Sequence, residues 1–552
     1  MRLAWRLVAL AGLLAAGCRT PGTAAQIRAA ATQPSTGSAG HPLPLASHWT
    51  TGSHRLSQPW GPATQLAWIG AGHRLLPWLG HPAISQQPTA TDEAAFTWYG
   101  YEPALRELAR QHLPFTLVCT QWESLLSKGD YLALPPEQNP NVVTADGAIL
   151  PKVSPFGPVS AWREAGRAWT DNPFMRRLQA FYPDPPQVLF LSNNEHGKLQ
   201  WHEAETDRRY LAQYGAGRDD TFKRQVVGDA WIERYRALQA GMREGLQSPR
   251  WRAQAVFVGY EASGPVCLGR WGGWRRYSLP SPGRIDPAPL MWDGGSASYY
   301  TPPYTGSTDF RVQSPQLEFM NLVFMQEEAL RLNPAYRLEL STWDGQAMRA
   351  GQAPLPPEQD KGRFYASLGQ TYTPERYAAC VQFGMWLLRP RVVREFRGWI
   401  EDFTLGQPYF QALVAAVDRV HDDPVLRDFW RHGELVPNPA RRHPYQADLP
   451  AEYQDVPRWF LLDADANHLA ASPRLNDEIA VYALALVQGR APRRRWLVYA
   501  HAPLGPRSGV ALTIPGWQAI KVDVAVGGSF YLAEERHARL VPRVHDPLTT
   551  QE

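Results

Sequence analysis

Two hydrophobic patterns alternate along most of the chain. Short, nearly continuous apolar runs occur at Leu66–Gly70, Phe96–Gly100, Phe115–Thr120, Gln187–Ser192, Ala255–Tyr260, Leu290–Gly294, Leu338–Thr342 and Val381–Leu388. Between them lie stretches with apolar residues three and four apart, at Pro103–His112, Ala161–Tyr182, Asp229–Leu246 and Gln316–Leu332. A continuous apolar run fits a strand buried on both faces, and the longer period fits an amphipathic helix. Alternating strands and helices predict an α/β fold with a parallel sheet, and right-handed crossovers over eight strands predict closure into a (β/α)8 TIM barrel. A further helical stretch runs from Pro408 to His432.

From about Tyr453 the pattern changes. Trp459–Leu462, Ile479–Leu486, Arg495–His501, Gly509–Thr513 and Ala519–Val526 are short strand-like runs punctuated by Gly and Pro. That spacing predicts a small C-terminal antiparallel β-sandwich, with a loose tail after Val541.

Before the first run the chain reads as an export signal. Arg2 and Arg6 precede the apolar stretch Leu7–Ala16, which is too short to cross a membrane. Leu14-Ala15-Ala16-Gly17-Cys18 resembles the bacterial lipobox, which implies a lipid-anchored Cys18 and an extracytoplasmic location, on the outer membrane in a Gram-negative host. Residues 19–60, rich in Ala, Thr, Ser, Gly and Pro, are expected to form a flexible tether. The expected division is 1–18 signal, 19–60 tether, 61–450 barrel and 451–545 sandwich.

The polar residues at the ends of these runs carry the candidate chemistry. α/β barrels place their chemistry at the C-terminal ends of the strands. Gln187–Leu191 runs into Ser192-Asn193-Asn194-Glu195, and Leu338–Thr342 contains Glu339 and runs into Trp343-Asp344-Gly345. Asn194-Glu195 after the fourth strand resembles the acid/base signature of the clan of retaining (β/α)8-barrel glycoside hydrolases, over roughly residues 65–391. The resemblance implies that Glu195 is the acid/base, that Glu339 on the seventh strand is the nucleophile, and that Asn194 binds the sugar 2-hydroxyl. It also implies that Trp386 floors the catalytic subsite. Retention requires two carboxyls about 5–5.5 Å apart.

Other strand-end residues are candidates for binding substrate: Trp122 and Glu123 after the third run, Glu261 after the fifth, Trp292 and Asp293 in the sixth, Tyr299 beyond it, and Trp343 and Asp344 after the seventh. Glu261 is also an alternative to either catalytic glutamate. The 22 Trp and 22 Tyr supply faces for sugar rings as well as core volume.

Charge and cysteine content narrow the field. A net charge of +4 without a long basic run does not imply a nucleic-acid partner. Beyond Cys18 the three cysteines Cys119, Cys267 and Cys380 are an odd number that gives no disulfide framework, and no Cys/His spacing suggests zinc. Asp463-x-Asp465-x-Asn467 lacks the glycine and terminal glutamate of a calcium loop, and there is no phosphate-binding glycine loop or Gly-x-Ser-x-Gly elbow. No cofactor or metal is expected. The sequence points to a retaining hydrolase of β-glycosidic bonds in an extracytoplasmic poly- or oligosaccharide. A non-catalytic carbohydrate-binding barrel of a surface polysaccharide system is the alternative.

Overall fold

The computed structural model describes residues 40–49, 74–80, 101–120, 125–193, 198–260, 288–299, 332–342, 369–396, 407–438, 460–464, 480–536 and 539–545, with single positions between 316 and 366. Residues 1–39, including Cys18, and the expected strands 66–70 and 96–100 lie outside them.

The fold is α/β. Eight strands, β1 (Leu45–Trp49), β2 (Trp78–Gly80), β3 (Phe115–Thr120), β4 (Val188–Asn193), β5 (Ala255–Tyr260), β6 (Gly294–Tyr299), β7 (Arg337–Thr342) and β8 (Val392–Phe396), form one parallel sheet in the order β1-β8-β7-β6-β5-β4-β3-β2. The sheet curls until its edges meet, because Ala46 of β1 bridges Leu75 just before β2. The amide of Ala46 donates to the Arg74 carbonyl and that of Leu76 to the Ala46 carbonyl, each at 2.8 Å.

The register measures this curl. The partners of Gly80 run through Val118, Leu191, Val258, Gly294 and Arg337, and the same registers carried through β8 and β1 lead to position 43. The bridge sets position 43 beside position 72, so one circuit drops eight residues, one per strand.

Several elements differ from expectation. β1 falls inside the segment expected to be a tether. Its Ser47 points inward to a charged side chain, so the strand never reads as an apolar run. The sixth strand is Gly294–Tyr299 rather than 290–294. Its inner half is Gly and Ser because a Cβ on Gly294 would stand 2.5 Å from the Arg337 carbonyl oxygen. The run 381–388 is not a strand but the end of a helix, α5 below. β8 follows it, and charged residues in that strand hid its pattern.

The helices are α1 (Tyr101–Gln111), α2 (Val159–Thr170), α3 (Pro173–Phe181), α4 (Asp220–Gly245), α5 (Pro374–Leu388), α6 (Gln407–Asp422) and α7 (Pro424–His432), besides shorter turns. Their starts follow local rules. Asn172, Asp219, Thr373 and Asp423 cap α3, α4, α5 and α7 by accepting backbone amides, with Pro at the first turn of α3, α5 and α7. The Asn172 cap also splits the expected helix 161–182 in two. Gly241 lets α4 press on α2, since a Cβ there would lie 1.9 Å from the Arg163 carbonyl oxygen.

Two antiparallel sheets follow: β9 (Glu434–Leu435), β11 (Tyr482–Gln488), β12 (Arg495–His501), β15 (Ser529–Arg536) and β16 (Arg539–His545) in one, β10 (Asp463–Ala464), β13 (Arg507–Thr513) and β14 (Ile520–Val524) in the other. They share an apolar core that includes Val481, Ala483, Trp496, Val498, Leu512, Ile514, Val522 and Tyr531. β16 occupies the expected tail, and Phe460–Leu462 are buried outside any strand. The five-stranded sheet packs on α5, where the Tyr499 hydroxyl donates to the Ala379 carbonyl at 2.9 Å.

His501 in this contact is fully buried among Phe383, Tyr482 and Tyr499, and neither ring nitrogen has a hydrogen-bond partner. Burial lowers its pKa from 6.5 to about 3. Between these values the unfolded chain takes up a proton that the folded chain refuses, so stability falls as pH drops through that window. His501→Leu is expected to remove about 2 kcal/mol of the loss between pH 8 and pH 5. Denaturant unfolding at the two pH values measures it; an unchanged difference refutes the account.

Candidate functional site

Along β7, side chains alternate between two environments. Leu338 and Leu340 join Phe319, Val323 and Trp386 under the helices. Arg337, Glu339 and Ser341 therefore face into the curled sheet. Glu339 has no exposed surface. Its Oε1 accepts from Arg337 Nε at 2.9 Å, and its Oε2 accepts from Arg394 of β8, from Nε at 3.0 Å and Nη2 at 2.5 Å. Arg394 Nη1 donates to Ser47 Oγ of β1 at 3.0 Å, and that hydroxyl donates to the Leu76 carbonyl at 3.0 Å. Arg337 Nη1 donates to the Gln187 side chain below β4. Burial holds the Arg337 pKa below the ordinary guanidinium value, against the upward pull of Glu339.

This is a correction to the expected placement of Glu339. It is the third of six residues in β7, not the strand's end. Because the register drops one residue per strand, Glu339 lies at the height of Phe190, three residues below Asn193, the last residue of β4. At roughly 2.7 Å of height per residue, from a 3.3 Å rise tilted by about 36°, that is about 8 Å down the axis. Both carboxylate oxygens of Glu339 accept from guanidinium groups, and none of the side chain is exposed. Arg337 and Arg394 were not anticipated from the sequence. Their signal was an arginine at spacing two from Glu339 and another inside the short apolar run Val392–Phe396.

The same register places Thr342, the end of β7, at the height of Asn193, the end of β4. Asn194 and Glu195 begin directly after one strand, and Trp343 and Asp344 after the other. Tyr260 ends β5, so Glu261 follows it directly. Asn194, Glu195, Glu261, Trp343, Asp344, Trp122 and Glu123 lie outside the described residues. Tyr299 is the last residue of β6.

Three expected binding residues stand elsewhere. Trp292 is fully buried against Tyr235 of α4, with ring centroids 4.8 Å apart. Asp293 precedes β6, at the opposite end from the expected mouth. Its carboxylate accepts from Arg236 at 3.1 Å, from Arg243 at 3.0 Å and from the Phe257 amide at 3.0 Å. Trp386 is a core residue of α5, packed edge-on to Trp430 and Phe530. The apolar run around it satisfied a strand pattern because α5 is covered on both sides. Among the described residues no cluster of three or more acidic, His or Cys side chains could hold a metal.

No family model matches the chain, and no curated protein matches it. Solved structures resemble it at low identity. The family 26 endo-β-1,4-mannanase of Cellulomonas fimi is 12% identical over 92% of this chain and 94% of its own, with a TM-score of 0.36. A family GH5 xyloglucan-specific β-1,4-glucanase from a ruminal metagenomic library, in complex with XXLG, is 7% identical over 69% and 94%, with a TM-score of 0.36. The GH36 α-galactosidase AgaA of Geobacillus stearothermophilus, in complex with raffinose, is 10% identical over 91% and 55%, with a TM-score of 0.37. These scores are too low to support an inference about this chain, and the functional reading rests on its own residues.

Glu339→Gln leaves two buried guanidinium groups without a full counter-charge. It is expected to destabilise the protein by about 3–5 kcal/mol, read as a lower denaturant midpoint. Unchanged stability together with lost turnover would return Glu339 to the chemistry.

Proposed function

We propose that the chain is a retaining glycoside hydrolase on a complete (β/α)8 barrel, anchored outside the cytoplasm and followed by a β-sandwich. The eight-residue drop in eight strands supports the barrel, since it is the stagger of that architecture. One observation carries the chemistry. β4 and β7, three strands apart across the sheet, leave it at one height, and after each strand a carboxylate follows in the sequence as the second residue, Glu195 after Asn193 and Asp344 after Thr342.

In this reading Glu195 protonates the glycosidic oxygen as Asp344 attacks the anomeric carbon and forms a covalent glycosyl ester. Glu195 then takes a proton from water, which cleaves the ester and restores Asp344. Asn194 donates to the sugar 2-hydroxyl. Glu339 takes no part in bond making; it neutralises the arginines beneath the site.

Hydrolysis of a panel of aryl β-glycosides and β-linked polysaccharides tests the activity. Glu195→Gln and Asp344→Asn are each expected to reduce turnover by at least about 10³-fold with the unfolding midpoint unchanged. Loss in Glu261→Gln but not in Asp344→Asn would move the nucleophile to Glu261. Sugar binding without turnover by the unmodified protein would leave a non-catalytic carbohydrate-binding barrel. Lipid anchoring at Cys18 predicts incorporation of labelled palmitate that Cys18→Ala abolishes.

A further inference from the structure

A cavity lies between α5, α6 and the five-stranded sheet, with a volume of about 440 Å³. That is the size range of sites for small organic ligands. It exists because side chains are missing from its walls. Ala378 and Ala379 of α5 face Ala412, Ala415 and Ala416 of α6, and the turn Gly527-Gly528 closes one end. Gly527 passes so close to α5 that a Cβ would stand 2.0 Å from Glu375 Oε1, and Gly528, at φ +75°, adopts a left-handed conformation.

Small residues alone would leave a void. Here polar groups accompany them. Glu375, Gln382 and Arg419 line the space, as does His545, whose Nε2 is held by Asp423 Oδ2 at 2.8 Å. Gln382 is the informative one. It is 2% exposed, and neither its amide oxygen nor its amide nitrogen has a partner. Leaving a buried amide unpaired is costly, and a native protein keeps such a group where something else completes it. Glu375 and Arg419 line the same cavity without forming an ion pair with each other.

We propose that this cavity is a binding site for one or two neutral sugar residues. Each hydroxyl of a sugar both donates and accepts. The carboxylate of Glu375 accepts only, the guanidinium of Arg419 donates only, and the Gln382 amide does both. These three planar groups match a vicinal diol. An anionic ligand would meet Glu375, and a cationic one Arg419, so a neutral polyol fits the wall better than either ion. The sugar class follows from this donor set, and the site stands apart from the chemistry proposed at the sheet's rim.

Calorimetric titration of the full chain with glucose, mannose, galactose, xylose and their β-1,4-linked disaccharides tests it. At least one is expected to bind. Gln382→Leu and Arg419→Met should each weaken that binding by roughly tenfold or more, the loss of one charged or paired hydrogen-bonding group. Ala415→Phe, which fills the cavity from an exposed position, should abolish it. Glu195→Gln should leave it intact, which separates this site from the rim. Gln382→Leu should also raise the unfolding midpoint, because it removes two unpaired buried polar atoms. Three results overturn the proposal: no neutral sugar binding at millimolar concentration, binding of glucuronate alone, or binding that Ala415→Phe and Arg419→Met leave unchanged.

Discussion

A charge buried inside a curled sheet must be neutralised there, and three strands of this sheet supply side chains that do so around Glu339. With no exposed surface, its carboxylate cannot rely on water. Arg337 from its own strand and Arg394 from the next enclose it, and Ser47 accepts from the third guanidinium nitrogen of Arg394. The cluster joins β7, β8 and β1, and β1 lies almost 350 residues before β8 in the chain. It therefore ties the two ends of the sheet's strand sequence at the seam where they meet. Removing one member would leave buried charge behind, which costs more than the pairs themselves contribute.

The curl of the sheet has a geometric consequence. A sheet that loses eight residues per circuit brings strands of different lengths and registers to a common rim. Asn193 and Thr342 end at the same height although no register pairs them directly, because three intervening steps each shift the level by one residue. Positions beneath that rim are packed volume. Glu339 belongs to that volume.

The C-terminal sheets complete the helical layer rather than standing apart from it. α5 is covered by β7 and β8 on one side and by β12 and β15 on the other, so Val381, Phe383, Trp386 and Leu388 are buried around its whole circumference. Where the same helix turns alanines toward α6, the sheet does not fill the gap, and the cavity around Gln382 remains. Close packing and the open site are thus set by successive turns of one helix.

Much of this was legible in the chain. The strands at 115, 188, 255 and 337 announce themselves as apolar runs, because a strand covered on both faces must be apolar on both. The helix start at Thr373-Pro374 announces itself as a cap, because capping is local chemistry, whereas the break at Asn172-Pro173 was read through as one helix. Contacts between distant residues decided the rest. β1, β6 and β8 carry Ser, Gly and Arg on their inner faces, which balance Glu339 or let Arg337 approach, and such residues form no apolar period. The all-round burial of α5 made a helix read as a strand. Glu339 looked catalytic because it stands in the seventh run, where the resemblance to the retaining barrel hydrolases implies the nucleophile. Its height in the sheet and its two guanidinium partners are set by register and closure, and those are properties of strands brought together rather than of any one of them.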